Sequence, residues 1–205
     1  MNLAVVILGA GASARMGRPK LLLPWQGTTV IGHLIDQWQT LGAAPIAIVC
    51  AADNARLAEE IEYLAGPTVR RIFNPQPRRG MFSSIQCAAQ SNGWDDSLTH
   101  FAIVLGDQPH LKPDTLRLLI DFSARNFEKV SQPRFQGSAR HPVILPKELF
   151  REIASTKHPT LRDFLNARPD KCELIRIDDP GLELDIDRPA DYEQALRLAK
   201  KSSVE

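Results

Sequence analysis

Three groups of residues hold charge in patterns that could do chemistry. Between Leu8 and Lys20 the chain reads Leu-Gly-Ala-Gly-Ala-Ser-Ala-Arg-Met-Gly-Arg-Pro-Lys. Gly9, Gly11 and Gly17 let the backbone turn sharply and approach a ligand, since no Cβ obstructs either. Ser13 offers a hydroxyl donor, and Arg15, Arg18 and Lys20 offer positive charge, a combination suited to a phosphate-bearing ligand. The second group is Gly106-Asp107-Gln108-Pro109, placed directly after the apolar run Phe101-Ala-Ile-Val-Leu105. There Gly106 leaves room for a bulky partner and Pro109 stops the strand. The third is Leu184-Asp185-Ile186-Asp187-Arg188-Pro189, which, if extended, turns Asp185 and Asp187 to one face. Mg²⁺ takes oxygen ligands and usually shares them with substrate phosphates, so Asp107 and one of the later acids could hold such an ion.

Each group also has a plainer explanation. The loop could be a turn with surface cations, Asp107 could cap the segment that follows it, and Arg188 with solvent could compensate the acid pair. Together the three describe a metal-assisted phosphoryl or nucleotidyl transfer site more economically than three separate accidents. Two other phosphate loops compete for the first group. Gly9-Ala-Gly-Ala-Ser-Ala14 satisfies the loose dinucleotide pattern, but that pattern wants an acid about 20 residues on, at the end of the next strand. The first acid after the second strand here is Asp53. A Walker A loop ends in Gly-Lys-Ser/Thr, whereas this one ends Gly17-Arg18-Pro19-Lys20, and Pro19 breaks the helix that should start there.

The elements that must position these groups read as an α/β layered fold. Leu3 to Leu8 has no polar alternation, as expected of a strand buried on both faces of a parallel sheet. Further runs at Ile46–Val49, Val69–Phe73, Phe101–Leu105 and Val143–Leu145 recur between segments of helical period, the signature of a βαβ sheet. Ile31, Leu34, Ile35, Trp38 and Leu41 form one apolar stripe closed by Gly42; Leu57, Ile61 and Leu64 form a second, and Leu116, Leu119 and Ile120 a third. A terminal helix starts at Pro189. The span from Phe135 to Pro180, with prolines at 142, 146, 159 and 169, is less regular and is expected to cover the open end of the sheet, where irregular connections carry specificity.

The chain has 205 residues, 43% of them hydrophobic and 24% charged, with a net charge of +1. That length suits one domain over residues 1–200 with a flexible tail over 201–205, and the charge balance argues against nucleic-acid or membrane partners. Cys50, Cys87 and Cys172 lack metal or disulfide spacing and fit free thiols in a reducing cytoplasm.

Leu8-x-x-Gly11-x-Ser13-x-Arg15-Met16-Gly17-x-x-Lys20 resembles the signature of the MobA-like nucleotidyltransferases. These include the molybdenum cofactor guanylyl- and cytidylyltransferases and are related to the sugar-nucleotide pyrophosphorylases. Asn74-Pro75, Gly80-Met81-Phe82-Ser83-Ser84-Ile85, Gly106 to Pro109, His141-Pro142-Val143 and Asp185 to Pro189 follow in the family's order, so the resemblance spans nearly the whole chain. It implies a three-layer, mostly parallel, Rossmann-like sheet of the nucleotide-diphospho-sugar transferase type. It also implies that Leu8, Ala10, Gly11 and Ser13 hold a nucleotide, with Gly80, Ser83 and Ser84 beside its base and ribose. Arg15, Lys20 and Asp107 are then catalytic, Asp107 and Asp187 (or Asp185) hold Mg²⁺, and His141 contacts the acceptor or positions its own turn.

Ala10-Gly11, Pro19-Lys20 and Gly106-Asp107-Gln108-Pro109 resemble the cytidylyl members more than the guanylyl ones, which points to CTP. The implied activity is CMP transfer to the phosphate of a molybdopterin-type cofactor with release of pyrophosphate, possible partners being a small phosphorylated acceptor and a molybdoenzyme. Two stretches depart from the pattern: Arg140-His141-Pro142 has a large cation where the family has glycine, and Lys157 to Arg162 replaces a glycine-rich stretch. Both fall where the acceptor should be covered, so another acceptor, another nucleotide, or a non-catalytic accessory protein for a molybdoenzyme stays open beside the leading reading. A dinucleotide-dependent oxidoreductase is the remaining alternative.

Overall fold

The structure, a computed structural model, describes residues 1–202 except 12, 14, 52, 53 and 65, and only the backbone of 201 and 202. Strands β1 (Leu3–Leu8), β2 (Pro24–Trp25), β3 (Thr28–Thr29), β4 (Ile46–Ala51) and β5 (Val69–Asn74) occupy the first part of the chain. β6 (His100–Leu105), β7 (Val130–Phe135), β8 (Ser138–Ala139), β9 (Val143–Pro146) and β10 (Cys172–Arg176) complete the set. The helices are α1 (Val30–Thr40), α2 (Ala55–Leu64), α3 (Met81–Gln90), α4 (Pro113–Arg125), α5 (Lys147–Ile153), α6 (Leu161–Asn166) and α7 (Pro189–Ser202).

The main sheet runs β10-β7-β9-β6-β1-β4-β5, with β8 hydrogen-bonded to β7. β1 pairs in parallel with β4 and β6, β4 with β5, and β7 with β10. The fold is thus α/β around a mostly parallel mixed sheet. β9 is the departure from the expected βαβ pattern: it lies antiparallel to both β6 and β7. No helix intervenes between β7 and β9, so the chain reverses through the β8 turn, and a parallel crossover has no length in which to form.

Alternation along β1 divides the core between the two faces of the sheet. Leu3, Val5 and Ile7 point into a cluster with α1, α2, α4 and α7, while Ala4 and Val6 point into one with α3, α5 and α6. Both faces are covered, which is why β1, β4 and β6 contain hardly a polar residue. Thr29 caps α1 by accepting from the Gly32 N–H at 3.2 Å, and Gly42, at φ +82°, follows its C-terminus as expected. α7 continues to Ser202, so helix occupies the first residues of the expected tail, and 203–205 lie outside the described residues. No helix among the described residues is long and apolar enough to cross a membrane.

Succession from β1 outward to β4 and β5, then back to β6 on the other side of β1, makes a topological switch point. Ligands of open α/β sheets bind there, beyond the carboxyl ends of the strands. Leu8 and Leu105 are register partners. The glycine loop and the Asp107 loop therefore leave the sheet side by side.

Candidate functional site

What brings the cation and the acid together is an apolar residue. A Cβ on Gly9 would stand 2.7 Å from Leu21 Cδ1, and one on Gly106 would stand 2.7 Å from Leu21 Cδ2 and 2.8 Å from the Leu8 carbonyl oxygen. Both glycines thus make room for Leu21, and both also line the pocket described below, so the space they leave serves the packing of the loops as well as the cavity. Leu21, buried between the two loops, sits in the short 3₁₀ turn Lys20–Leu22 and so fixes its neighbour Lys20. Gly17 does use glycine's freedom, at φ +69°. Ser13 reaches φ +50° without being glycine, and its Oγ accepts from the Lys20 backbone N–H at 3.2 Å, closing the loop on itself.

The Lys20 ammonium donates to Asp107 Oδ2 at 2.6 Å and to Asp187 Oδ1 at 3.2 Å, while Arg15 Nη1 donates to Asp187 Oδ2 at 2.7 Å. Lys20 and Asp107 are mostly buried, with side chains 17% and 20% exposed, whereas Arg15 is 67% exposed. Burial alone would lower the Lys20 pKa; the charges and hydrogen bonds of Asp107 and Asp187 outweigh it and hold the ammonium above the ordinary lysine value.

The expectation that Asp185 and Asp187 share one face of an extended run does not hold. The Asp187 N–H bonds to the Asp185 carbonyl at 3.0 Å, bending the chain, so Asp187 reaches Lys20 and Arg15 while Asp185 Oδ1 accepts from Gln108 Nε2 at 2.9 Å. Burial, then the charge of Asp107, pushes the Asp185 pKa up, opposed by the Gln108 hydrogen bond. Asp187 thus stands with Asp107 around one ammonium, while Asp185 is engaged by an amide.

A series of bonds seats the acidic segment on the Asp107 loop. The Ile186 N–H donates to the Asp107 carbonyl at 3.0 Å, and His110 Nε2 lies 3.0 Å from the Gly181 carbonyl. Buried Asp179 accepts from Thr115 Oγ1 at 2.6 Å and from the Gly181 N–H at 2.9 Å. His110, Thr115 and Asp179 went unnoticed in the sequence, and Gln108 was read only as part of the motif after β6; a histidine next to that motif was the only local signal.

Leu8, Ala10, Gly11, Ser13, Lys20, Gly80, Ser84 and Asp107 all line one pocket of about 330 Å³, joined by Asn54, Pro77 and Met81. That volume lies within the usual range of small-molecule sites. Ser83 does not line this pocket: it is buried, accepts from Asn74 Nδ2 at 2.8 Å and donates to the Gly80 carbonyl at 2.7 Å. The same Asn74 amide donates to Ser84 Oγ at 3.0 Å, so Asn74 at the end of β5 organises the start of α3. Asp53, the acid closest to the dinucleotide pattern, and Ala14, which ends that pattern, lie outside the described residues.

His141 lines a second pocket, together with Gln132, Ser138 and Arg162. Its Nδ1 lies 3.4 Å from the Ile103 carbonyl, and burial lowers its pKa against the opposing effects of that contact and of Asp107. Arg140, which the sequence places where the acceptor should be covered, is paired with the protein itself. Its Nη2 donates to Glu183 at 2.6 Å, pinning the turn before β9 to the acidic segment.

Among the described residues no three His, Cys, Asp or Glu side chains are placed to hold a metal by themselves. Two carboxylates with only oxygen donors still suit a hard cation that completes its shell with phosphate oxygens and water.

Residues 5–172 match the family model described as the MobA-like NTP transferase domain. The chain is 29% identical to nicotine blue oxidoreductase of Paenarthrobacter nicotinovorans, with 94% of each chain covered. It is 26% identical to molybdenum cofactor cytidylyltransferase of Escherichia coli K12, covering 91% of this chain and 92% of that one. Among solved structures, Rv0371c of Mycobacterium tuberculosis H37Rv is 24% identical, with a TM-score of 0.78 over 96% of this chain and 98% of that one. The same protein is also known as a complex with manganese, with a TM-score of 0.70 over 96% and 99%.

Proposed function

The chain belongs to the MobA-like NTP transferases, and from that premise we propose that it transfers CMP from CTP to the phosphate of a molybdopterin-type cofactor, releasing pyrophosphate. The observation that carries this reading is the Lys20 ammonium held between Asp107 and Asp187 beside the glycine-loop pocket. A phosphate attacking a phosphate must overcome like-charge repulsion, and a fixed cation adjoining two acids is the equipment for that. Ala10, Pro19 and the Gly106 to Pro109 motif support CTP, and the Escherichia coli relative supports the acceptor.

In this reading the loop backbone and Ser13 hold the triphosphate, Lys20 and Arg15 neutralise it, and Gly80 and Ser84 flank the base and ribose. Asp107 and Asp187 would hold Mg²⁺, which when bound supplies charge compensation at the phosphates. The manganese complex of Rv0371c supports a divalent ion. The acceptor oxygen bonds to the α-phosphorus as the bond to the departing pyrophosphate breaks, and positioning does the work that no covalent nucleophile is required to do.

The 29% identity to nicotine blue oxidoreductase favours a second reading, in which the loop takes a reduced dinucleotide and the neighbouring pocket a flat heterocycle. Thermal stability with CTP, GTP, ATP, UTP and NADPH, with and without Mg²⁺, separates the two. A ligand at 100 times its Kd adds about 2.7 kcal/mol. CTP with Mg²⁺ is expected to stabilise most, and pyrophosphate is expected to appear only when molybdopterin is added. Asp107→Asn is expected to lower that turnover at least ~10³-fold, as loss of a ligand to the charge-compensating ion should, while keeping a cooperative thermal transition. Stabilisation by NADPH alone would favour the second reading, and indifference to all five would refute both.

A further inference from the structure

The second pocket, of about 570 Å³, is walled by the β7–β8 turn, the approach to β9, and α6. Met81 lines both it and the glycine-loop pocket, so the two cavities meet at the start of α3. The charge inside is lopsided. Arg162 is the one charged residue among those that line it, and the carboxylate of its neighbour Asp163 is bonded to the Thr160 hydroxyl at 2.6 Å. Among the described residues Arg162 has no ion pair or hydrogen bond through its side chain, and the same holds for Gln132, Ser138 and Asn166.

Arg162 and Asn166 are four residues apart and share one side of α6. Thr160 is spent as the cap of that helix, bonded to Asp163 through both its donor and its acceptor. Arg140, the other cation that the sequence places in this region, is spent on Glu183. A convergent set of unengaged polar side chains around one cation, set against the apolar Met81, Leu161 and Leu165, is how a small-molecule site fixes orientation.

We propose that this second pocket receives the acceptor, and that the acceptor carries, besides its nucleophile, a separate anionic group read by Arg162. The proposal rests on the nucleotidyl-transfer reading of the first pocket and not on molybdopterin as the acceptor, which has a single phosphate. The reacting end lies toward Met81 and the first pocket; the rest of the molecule is uncharged and hydrogen-bonds to the Gln132 and Asn166 amides, which both donate and accept. Carboxylate and phosphate both suit a guanidinium, so either could be the anionic group.

The test uses three compounds of one size and shape: 4-hydroxybenzoate, 4-hydroxyphenyl phosphate and the uncharged 4-hydroxybenzamide. Each is titrated, with NMR detection, into the full chain saturated with Mg²⁺ and the α,β-methylene analogue of CTP. At least one anion is expected to bind about ten-fold tighter than the amide, as a hydrogen bond between charged groups provides, and the tighter of the two identifies the group. Arg162→Met is expected to abolish that preference and Arg162→Lys to keep part of it, with the affinity for the nucleotide analogue unchanged in both.

Equal binding of all three, no binding of any, an unchanged preference in Arg162→Met, or displacement of the nucleotide by the anions would each overturn the proposal. Failure of the analogue itself to bind would instead overturn the reading of the first pocket, and that titration is made first.

Discussion

Replacing Lys20 by methionine keeps the apolar stem of the side chain and removes the ammonium, and the structure predicts opposite effects on the two ligands of the site. In the free protein the ammonium occupies Asp107 Oδ2 at 2.6 Å and Asp187 Oδ1 at 3.2 Å. A divalent ion arriving alone has to displace it. The Asp107 contact is largely buried, and a hydrogen bond between charged groups in such a place is worth roughly 1.5–3 kcal/mol. The Asp187 contact is longer, shared with Arg15 and made to a carboxylate 39% exposed, so it adds at most about 0.5 kcal/mol. Displacement therefore costs about 2 kcal/mol, or about thirty-fold in affinity.

Lys20→Met is expected to bind Mn²⁺ alone about ten- to thirty-fold more tightly than the unaltered chain, read from the electron paramagnetic resonance of free Mn²⁺. The same variant is expected to bind CTP at least about ten-fold more weakly, because a cation facing the triphosphate is gone. A purely structural role for Lys20 would weaken both ligands together. Mn²⁺ affinity equal to or below that of the unaltered chain would refute the idea that the ammonium keeps the two carboxylates occupied until nucleotide arrives.

Gly106→Ala is expected to destabilise the fold by about 1–3 kcal/mol, measured by urea denaturation, because the new Cβ would meet the Leu8 carbonyl at 2.8 Å and Leu21 at 2.7 Å; unchanged stability would show that both can give way. Thr115→Val leaves buried Asp179 without one of its two donors and is expected to cost about 1–3 kcal/mol while raising the Kd of the Mg²⁺–nucleotide complex, both checked on one preparation by denaturation and calorimetry. His33, His100, His110 and His141 all have pKa values lowered, in each case by burial first. Held neutral in the fold, they bind fewer protons than in the unfolded chain, so their stability is full above about 6.5 and is lost as pH falls below it. The melting temperature is expected to decline from about pH 6.5 downward, well above the carboxylate range, and a flat profile to pH 5 would contradict this.

The parts of the fold legible in the sequence are those whose surroundings are uniform. β1, β4 and β6 are covered on both sides, and their composition says so. β7 was hidden because Gln132, Pro133 and Arg134 interrupt it, and β10 because it is a sheet edge with Glu173 and Arg176 among its five residues. Their pairing, Cys172 with Val130 through Arg176 with Arg134, joins segments some forty residues apart and leaves no local pattern. Within the candidate site, the loop, Asp107 and the pair Asp185 and Asp187 could be named from residue type and spacing. The family resemblance placed Ser83 beside the base and ribose, yet Asn74 and the Gly80 carbonyl already engage it. Only the approach of the β5 end to α3 reveals the prior engagement.

The same principle separates Asp185 from Asp187, which the sequence left as alternatives. Two residues apart, they differ in nothing but their neighbours. The Ile186 N–H is drawn to the carbonyl of Asp107, and the bend from Asp187 back to Asp185 then directs one carboxylate to Gln108 and the other to Lys20. Asp185 thereby becomes an acid engaged by an amide, its pKa pushed up by burial of the carboxylate and by the charge of Asp107. Asp187 keeps two cations and shares the Lys20 ammonium with Asp107. A cation that needs two carboxylates and a triphosphate would find them on Asp107 and Asp187. The clamp that makes this so consists of Gln108, His110, Thr115 and Asp179, none of which need ever touch a substrate.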